Sequence, residues 1–296
     1  MCADFEQAGA NKEQTPADVI AACDITFSCV SDPQASKDMV FGNCGVLQEM
    51  KAGKSYVEMT SIDSETSQDI NEAITARGGR YLESPVSGSK CSAEEGTLIL
   101  MCSGEKSLFE DCSTCFNAMG EHAFYLGRLF DKIELEILFG YRKKLKPDAV
   151  PTIKTVLSEQ TGVPKTRENK GEIGNASKMN LIVNLILGTT MAGLAEGMAL
   201  ADRAGLMQKD LLEILEQSSL SCPIFTEKGK AIIDGSFSTS CPLQHLQKDL
   251  RLVLALGDQM EQPLPITASA NEVFKHAKRL GYGEHDMSAV YIRARF

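Results

Sequence analysis

A lysine and two asparagines lie close together in the segment GNASKMNLIVN, residues 174–184. Asn180 and Asn184 are four residues apart, so a helix would place both amides on one face. Lys178 precedes Asn180 by two residues, or about 200° around a helix, which puts its ammonium group on roughly the opposite side. A lysine can deliver a proton, whereas an amide has no proton to exchange near neutral pH. The segment therefore predicts a helix face that can hold a ligand but lacks a proton donor.

A second set of polar groups follows a predicted buried strand in LESPVSGSKCSAEEGTLILMCSG, residues 82–104. Ser87, Gly88 and Ser89 lie between this strand and the next one, which begins at Thr97. Such a turn presents a hydroxyl and free backbone N–H groups, which together can bind a carboxylate. The same spacing is also found in ordinary turns, so both interpretations stay open.

The composition is that of a globular protein, with 43% hydrophobic and 24% charged residues in a chain of 296. A formal net charge of −10 argues against a nucleic-acid-binding surface spread over the whole molecule. No run approaches the roughly 20 apolar residues that span a bilayer, and the first residues lack the features of a secretion signal. We therefore expect an intracellular protein that is neither secreted nor in a membrane.

The ten cysteines are expected to be reduced and mostly buried, because several lie in apolar runs of a chain without an export signal. Cys112 and Cys115 form a CxxC pair, but zinc normally requires a second pair of ligands nearby. Two small half-buried residues at helical spacing explain the pair more simply. No metal site is predicted.

Short apolar runs alternate with amphipathic segments from residue 17 to about 127, which predicts strands alternating with helices in an α/β layer. The predicted strands are DITFSCV, KSYVEM, RYLESPV, TLILMCSG and HAFYLG. Such alternation favours parallel strands joined by right-handed crossovers. From residue 172 onward the periodicity is helical without strand signals, which predicts an all-α domain.

Residues 128–170 fit neither pattern and contain the basic run YRKKLK. A solvated loop is the simpler interpretation of this run, and contact with nucleic acid or an acidic partner is the alternative. The predicted organisation is therefore an α/β domain at 1–127, an inserted basic loop at 128–170 and an all-α domain at 171–296.

The ESPVSG turn, the GNASKMNLIVN segment and QKDLRLVLALG at 247–257 resemble the β-hydroxyacid dehydrogenase family. This family includes 3-hydroxyisobutyrate dehydrogenase and glyoxylate reductase, which use NAD or NADP. The resemblance implies a Rossmann domain, a doubly wound parallel sheet that binds the cofactor, followed by an all-α dehydrogenase domain. It covers nearly all of the chain outside 128–170.

The resemblance also implies roles for individual residues. Ser87, Gly88 and Ser89 match the residues that bind the substrate carboxylate, with Ser89 in place of a second glycine. Asn184 matches the family's helix asparagine. The positions that match cofactor contacts are Val30, Ser31, Thr60, Ser61 and Lys248.

Two departures from the family pattern bear on catalysis. The family's catalytic lysine lies four residues before the helix asparagine, and that position is Asn180 here. Family members also carry a G-x-G-x-x-G turn for the pyrophosphate of the cofactor, a pattern that does not occur in this sequence. We therefore expect a partial Rossmann domain, N-terminally truncated and without its first βαβ unit, with DITFSCV at an exposed edge of the sheet.

The motifs DITFSCVSDP, ESPVSG and DMSAVY resemble a nuclear branch of this family that destabilises nucleosomes. This implies a catalytically impaired, chromatin-associated oligomerisation or interaction module in the nucleus. The apolar face of a predicted helix at about 173–203 favours a homodimer or homotetramer, although a buried core helix has the same pattern. The alternatives are a working NAD(P)-dependent β-hydroxyacid oxidoreductase, in which case a cytoplasmic location is expected, and a segment with no activity of its own.

Overall fold

The computed structural model describes residues 3–127 and 172–295. Strands and helices alternate through the first range, as predicted, and the predicted basic loop at 128–170 lies outside the described residues. The strands are β1 (Ile25–Ser28), β2 (Ser55–Glu58), β3 (Arg80–Glu83), β4 (Val86–Ser87), β5 (Leu98–Gly104) and β6 (Gly120–Tyr125). The helices are α1 (Ala3–Gln7), α2 (Pro16–Ala22), α3 (Pro33–Phe41), α4 (Ser64–Ala76), α5 (Lys90–Glu94), α6 (Lys106–Asp111) and α7 (Ser113–Met119).

The strands form one sheet in the order β1, β2, β3, β5, β4, with β6 paired to β5. β1, β2 and β3 are parallel, as predicted, and among the described residues β1 lies at an edge, where DITFSCV was expected. The sheet departs from parallel pairing at β5, which is antiparallel to β3 and β4. The chain reverses there through β4 and the short α5, whereas a parallel pair needs a longer crossover.

Local sequence explains where the helices after β1 and β2 begin. Asp32 caps α3 by accepting a hydrogen bond from Ala35 N at 2.9 Å. Asp63 caps α4 in the same way, accepting from Thr66 N at 2.8 Å. The loops at 29–31 and 59–61 are therefore held short between the end of a strand and a capped helix.

The second range is helical, which together with the sheet confirms a partial Rossmann domain followed by an all-α domain. Its helices are α8 (Asn175–Arg203), α9 (Gln208–Gln217), α10 (Pro223–Asp234), α11 (Leu243–Gln259), α12 (Pro265–Ala277) and α13 (Val290–Arg295). Shorter helical turns occupy Lys278–Tyr282 and Met287–Ala289. Helix α8 follows Gly174, whose φ of 99° favours glycine, and its bounds agree with the predicted 173–203.

Each domain buries its own apolar core. Helix α8 packs against α11, α12 and α13, and Met191, Leu250 and Phe274 are buried between them. Alternate residues of β2 enter different clusters, Tyr56 one and Val57 another, so both faces of the sheet are covered. The two cores position the carboxyl ends of β1 to β3 against the all-α domain.

Helix α8 is the one helix in the described ranges that is long and apolar enough to cross a membrane, judged by length and composition alone. The core helix of a water-soluble protein meets the same criteria, and 44% of its most apolar stretch is buried inside the protein. Its packing against three neighbouring helices leads us to interpret it as a core helix.

The CxxC pair lies where α6 meets α7, with Cys112 buried and Cys115 exposed. Within residues 3–127 and 172–295, no three His, Cys, Asp or Glu side chains are grouped so that they could hold a metal ion. The expectation of two half-buried residues is therefore wrong for Cys115. Of the nine described cysteines five are exposed and two are buried, so the expectation that the cysteines are mostly buried is also wrong.

Candidate functional site

A cavity of about 480 Å³ lies where the carboxyl ends of β1 and β2 meet the all-α domain. Its walls come from the loops after β1 and β2, the turn after β4, and helices α8, α10 and α11. Ligands of doubly wound sheets bind at this edge. Every residue that the sequence proposed for the site, except Asn180, lines this cavity: Val30, Ser31, Thr60, Ser61, Ser87, Gly88, Ser89, Asn184 and Lys248.

The turn after β4 contributes one hydroxyl that is free to bind a ligand. Gly88 has a φ of 148°, and a Cβ there would lie 2.6 Å from Leu98 Cδ2, so the turn requires glycine. Ser89 is occupied, because its Oγ accepts a hydrogen bond from Ser92 N at 3.3 Å and caps α5. Ser87 is half-buried, and no residue in the described ranges hydrogen-bonds its hydroxyl.

The two strand-end loops are hydrogen-bonded to each other. Val30 N donates to Thr60 Oγ1 at 3.0 Å, which joins the loop after β1 to the loop after β2. Thr60 N in turn donates to Glu58 Oε1 at 3.0 Å. Glu58 is buried, and burial raises the pKa of its carboxyl although the bonds from Thr60 oppose the shift. The cofactor edge predicted from the family is therefore a fixed unit.

Lys248 on α11 connects the all-α domain to both loops. Its Nζ donates to Ser61 O at 2.9 Å and to Ser31 O at 3.2 Å, and it lies 3.2 Å from Asp249 Oδ1. The ammonium group is thus bound by two backbone carbonyls and one carboxylate. Lys248 holds the edge of the cavity together.

The two asparagines of α8 occupy different environments although they are one turn apart. Asn184 lines the cavity and donates from Nδ2 to Asp249 Oδ2 at 2.9 Å. Asn180 is only 1% exposed and lies outside the cavity lining, because its Nδ2 donates to Ser61 Oγ at 2.8 Å. Its Oδ1 is buried without a partner among the described residues. The short side chain ends at the Ser61 hydroxyl and does not reach the cavity.

Lys178 lines a neighbouring cleft of about 880 Å³ that runs between the starts of α3 and α4 and the outer face of α11. It does not line the cavity that contains Asn184. This agrees with the predicted position of Lys178 on the opposite side of the helix. Lys178 cannot deliver a proton to a ligand in the smaller cavity.

The ionisable residues of the cavity that were not anticipated from the sequence include Asp249 and Lys228. Burial raises the pKa of Asp249 to about 6, against the lowering effect of Lys248 and Asn184. Lys228 is 4% exposed, and its Nζ donates to Ser240 Oγ at 2.6 Å. Burial lowers the pKa of Lys228, but contacts with carboxylates, including Asp286 at 3.1 Å, outweigh it and raise the pKa. The adjacency of Asp249 to Lys248 was a usable signal, whereas nothing in the sequence marks Lys228 as buried.

Two family profiles match the two described ranges. The NAD binding domain of 6-phosphogluconate dehydrogenase matches residues 1–127. The NAD-binding region of NADP-dependent 3-hydroxyisobutyrate dehydrogenase matches residues 174–293. Both profiles describe dehydrogenase domains that bind a nicotinamide cofactor, and together they cover both sides of the cavity.

Curated relatives match all or nearly all of this chain. It is 52% identical to the cytokine-like nuclear factor N-PAC of Anopheles gambiae over 295 residues, which are 100% of the chain and 44% of the relative. The proteins of the same name from Drosophila melanogaster and Homo sapiens are 42% and 41% identical, over 100% and 98% of the chain and 42% and 44% of the relative. The chain thus spans less than half the length of these relatives.

Solved structures share the fold at low sequence identity. The 3-hydroxyisobutyrate dehydrogenase of Salmonella typhimurium is 23% identical with a TM-score of 0.73, covering 94% of this chain and 82% of that one. The enzyme of the same name from Mycobacterium tuberculosis is 15% identical with a TM-score of 0.70, over 95% and 82% of the two chains. The site motifs, the two profiles and the curated relatives agree that this chain belongs to the β-hydroxyacid dehydrogenase family, as a 3-hydroxyisobutyrate dehydrogenase-like member.

Proposed function

We propose that this chain is a catalytically impaired dehydrogenase-like module that holds a small carboxylate without reducing it efficiently. The observation that carries the proposal is the hydrogen bond from Asn180 Nδ2 to Ser61 Oγ at 2.8 Å. In the family this position is the lysine that supplies a proton, and here it is a buried amide turned toward the loop after β2. Loss of a positioned general acid typically costs about 10² to 10⁴-fold in rate.

The family implies a nicotinamide cofactor, and the residues present fit its nicotinamide end. The cavity lies at the carboxyl ends of two parallel strands, and Lys248 fixes the loops that border it. NAD or NADP, when bound, supplies or accepts a hydride. The residues of this chain hold the other parts: Ser87 binds the carboxylate and Asn184 lies at the opposite wall. No G-x-G-x-x-G turn binds the pyrophosphate in this sequence, so we expect weak affinity.

Assembly with a second copy of the chain is the other part of the proposal. Met179, Ile182, Ile186 and Leu200 are exposed on one face of α8, with Ile186 at 59% and Leu200 at 70%. Gly193 and Gly197 continue the same face, and nothing lies within 4 Å of a Cβ built on either. An apolar stripe with room for close approach suits another helix of the same kind. We propose a homodimer or homotetramer built on this face.

The cellular role is proposed from the relatives' name, which calls them nuclear factors. We infer that the protein acts in the nucleus with chromatin, where the module contributes assembly or partner binding. The net charge of −10 gives this chain no surplus of cations with which to bind DNA by itself. A chromatin contact through this module is therefore expected to use a protein partner.

Steady-state assays of NADPH oxidation with glyoxylate and with succinic semialdehyde test the catalytic part. The unchanged chain should show no turnover above background, and Asn180→Lys should gain about 10²-fold or more. Asn180→Gln is the matched control, since it lengthens the side chain but adds no proton donor. Turnover by the unchanged chain would overturn the proposal, and an inactive Asn180→Lys that binds glyoxylate would show that residue 180 is not the cause.

A working oxidoreductase is the second candidate, favoured by the position of Asp249. Its carboxyl lines the cavity with a pKa raised to about 6, so a fraction of it holds a proton near neutral pH. In that case reduction should slow as pH rises above 6 and should disappear in Asp249→Asn. The pH profile of any activity found in the unchanged chain separates this candidate from the first.

A further inference from the structure

The first turn of α8 is capped by a residue from the sheet. Gly174 at its N-terminus has no side chain to cap the helix, and the first N–H groups of a helix have no partner within it. Glu83, 1% exposed at the end of β3, accepts hydrogen bonds from Gly174 N at 2.8 Å and Ala176 N at 2.9 Å. Its other oxygen accepts from Ser177 Oγ at 2.6 Å. A carboxylate at this end of a helix is also favoured by the helix dipole.

The same carboxylate is held from the sheet side. Ser67 on α4 donates to Glu83 Oε2 at 2.6 Å, and the hydroxyl of Ser103 on β5 donates to Oε1. The Ser67 hydroxyl also hydrogen-bonds Tyr81 OH at 3.0 Å. Glu83 therefore joins two strands and a helix of the α/β domain to the longest helix of the all-α domain.

Both walls of the ligand cavity depend on this point of contact. The chain that leaves β3 at Glu83 runs directly into the turn with Ser87, and the helix anchored by Glu83 carries Asn184. We infer that Glu83 is a positioning residue that sets the distance between Ser87 and Asn184. This inference rests on the proposed ligand-holding function, and it assigns Glu83 a role that acts through the helix.

Glu58 on the neighbouring strand is a matched control. It pairs with Glu83 in the parallel register of β2 and β3, and it is equally buried. Its hydrogen-bond partners include Thr60 N and Tyr56 OH, which belong to its own domain. A variant of Glu58 therefore perturbs a buried carboxylate at the same depth without touching α8.

Hydrogen–deuterium exchange of the full chain tests the inference. Glu83→Gln keeps the size of the side chain and removes its charge, so a peptide covering residues 173–181 should exchange at least about tenfold faster. The same peptide should stay within about twofold in Glu58→Gln. Glu83→Asp retains the charge and should fall between Glu83→Gln and the unchanged chain. Equal acceleration throughout both domains in Glu83→Gln, or no change at 173–181, would overturn the inference.

Calorimetric titration with glyoxylate gives a second readout that a purely structural role would not move. Glu83→Gln should weaken glyoxylate binding about tenfold. Asp18→Asn, which removes a capping carboxylate from α2 outside the cavity lining, should leave it within about twofold. Unchanged affinity in a folded Glu83→Gln variant would contradict the positioning role. If the unchanged chain binds no glyoxylate, the proposed ligand-holding function fails, whereas the exchange experiment still decides whether Glu83 anchors α8.

Discussion

The strand-end edge and the Ser87–Ser89 turn face the same cavity but differ in what their polar groups do. At the edge, the Thr60 hydroxyl, the Ser61 hydroxyl and the Lys248 ammonium are bonded to other parts of the protein. At the turn, the Ser87 hydroxyl is free within the described residues. The edge residues hold the two domains together, whereas the turn leaves a hydroxyl available for the ligand that we propose. The proposal therefore separates ligand binding at the turn from proton transfer at residue 180.

The largest expected effect comes from breaking the edge at Lys248. Lys248→Met removes both carbonyl contacts and leaves the buried Asp249 without its cation. Breaking a buried pair typically costs about 3 to 5 kcal/mol, so the free energy of unfolding in urea should fall by about that amount. Lys230→Met, at an exposed lysine on α10, is the control and should change it by less than about 0.5 kcal/mol. Equal effects would mean that the edge is not a structural unit.

The buried carboxyl of Asp249, next to Lys248 at the edge, should make the stability of the protein depend on pH. Its folded pKa of about 6 lies above the ordinary 3.8, so its contribution to stability is full below pH 4 and is lost as pH rises through 6. Asp249→Asn has no carboxyl to ionise at this position, so it should not lose stability in this way as the pH rises. The stability of the unchanged chain relative to the variant should fall by roughly 2 to 3 kcal/mol between pH 4 and pH 7. A flat difference across this window in paired urea melts would contradict the burial of a titrating carboxyl.

At the Ser87–Ser89 turn, adding a methyl group is expected to lower stability more than removing the free Ser87 hydroxyl. Gly88→Ala places a Cβ against Leu98 at a φ of 148°, which should lower the unfolding free energy by about 1 to 3 kcal/mol. Gly53→Ala is the matched control, because Gly53 has a φ of 90° with open space around it. Its loss of stability therefore reports the cost of a positive φ without a side-chain clash. A loss no larger than that of Gly53→Ala would show that the Leu98 contact yields.

The smallest stability effect and the clearest binding effect are expected at Ser87. Ser87→Ala should change the unfolding free energy by less than about 0.5 kcal/mol, since no described residue bonds its hydroxyl. A hydrogen bond to a charged group is worth about 1.5 to 3 kcal/mol, so glyoxylate affinity should fall at least about tenfold. Ser89→Ala should show the opposite pattern, a loss of stability through the cap of α5 with little change in affinity. Calorimetric titration measures the glyoxylate affinity of both variants, and thermal unfolding of the same samples measures their stability.

The sequence predicted those features that depend on local patterns. The strand and helix alternation, the bounds of α8 and the opposite placement of Lys178 follow from periodicity alone. The antiparallel β5 did not, because strand pairing is decided by partners far apart in the chain. The residues proposed from resemblance to the family, except Asn180, lie around one cavity, and their roles stay predictions. The hydrogen bond between Asn180 and Ser61 joins residues 119 positions apart. No local signal could show where that amide points.

Contacts between distant parts of the chain also explain why the sequence did not predict the roles of Lys228 and Glu83. Lys228 is buried because Ser240 and Asp286 come from separate segments to satisfy its ammonium group. Glu83 caps a helix through Gly174, which lies 91 positions later in the chain. Such contacts depend on the assembled fold, and they are also the contacts on which the function of the cavity depends.

The most direct test of the central claim is a calorimetric titration of the unchanged chain with glyoxylate in the presence of NADPH, with NADPH oxidation followed in the same sample. We predict saturable heat of binding, with an affinity that falls at least about tenfold in Ser87→Ala, and no oxidation above background. Oxidation of NADPH by the unchanged chain, or the absence of any Ser87-dependent binding, would contradict the account.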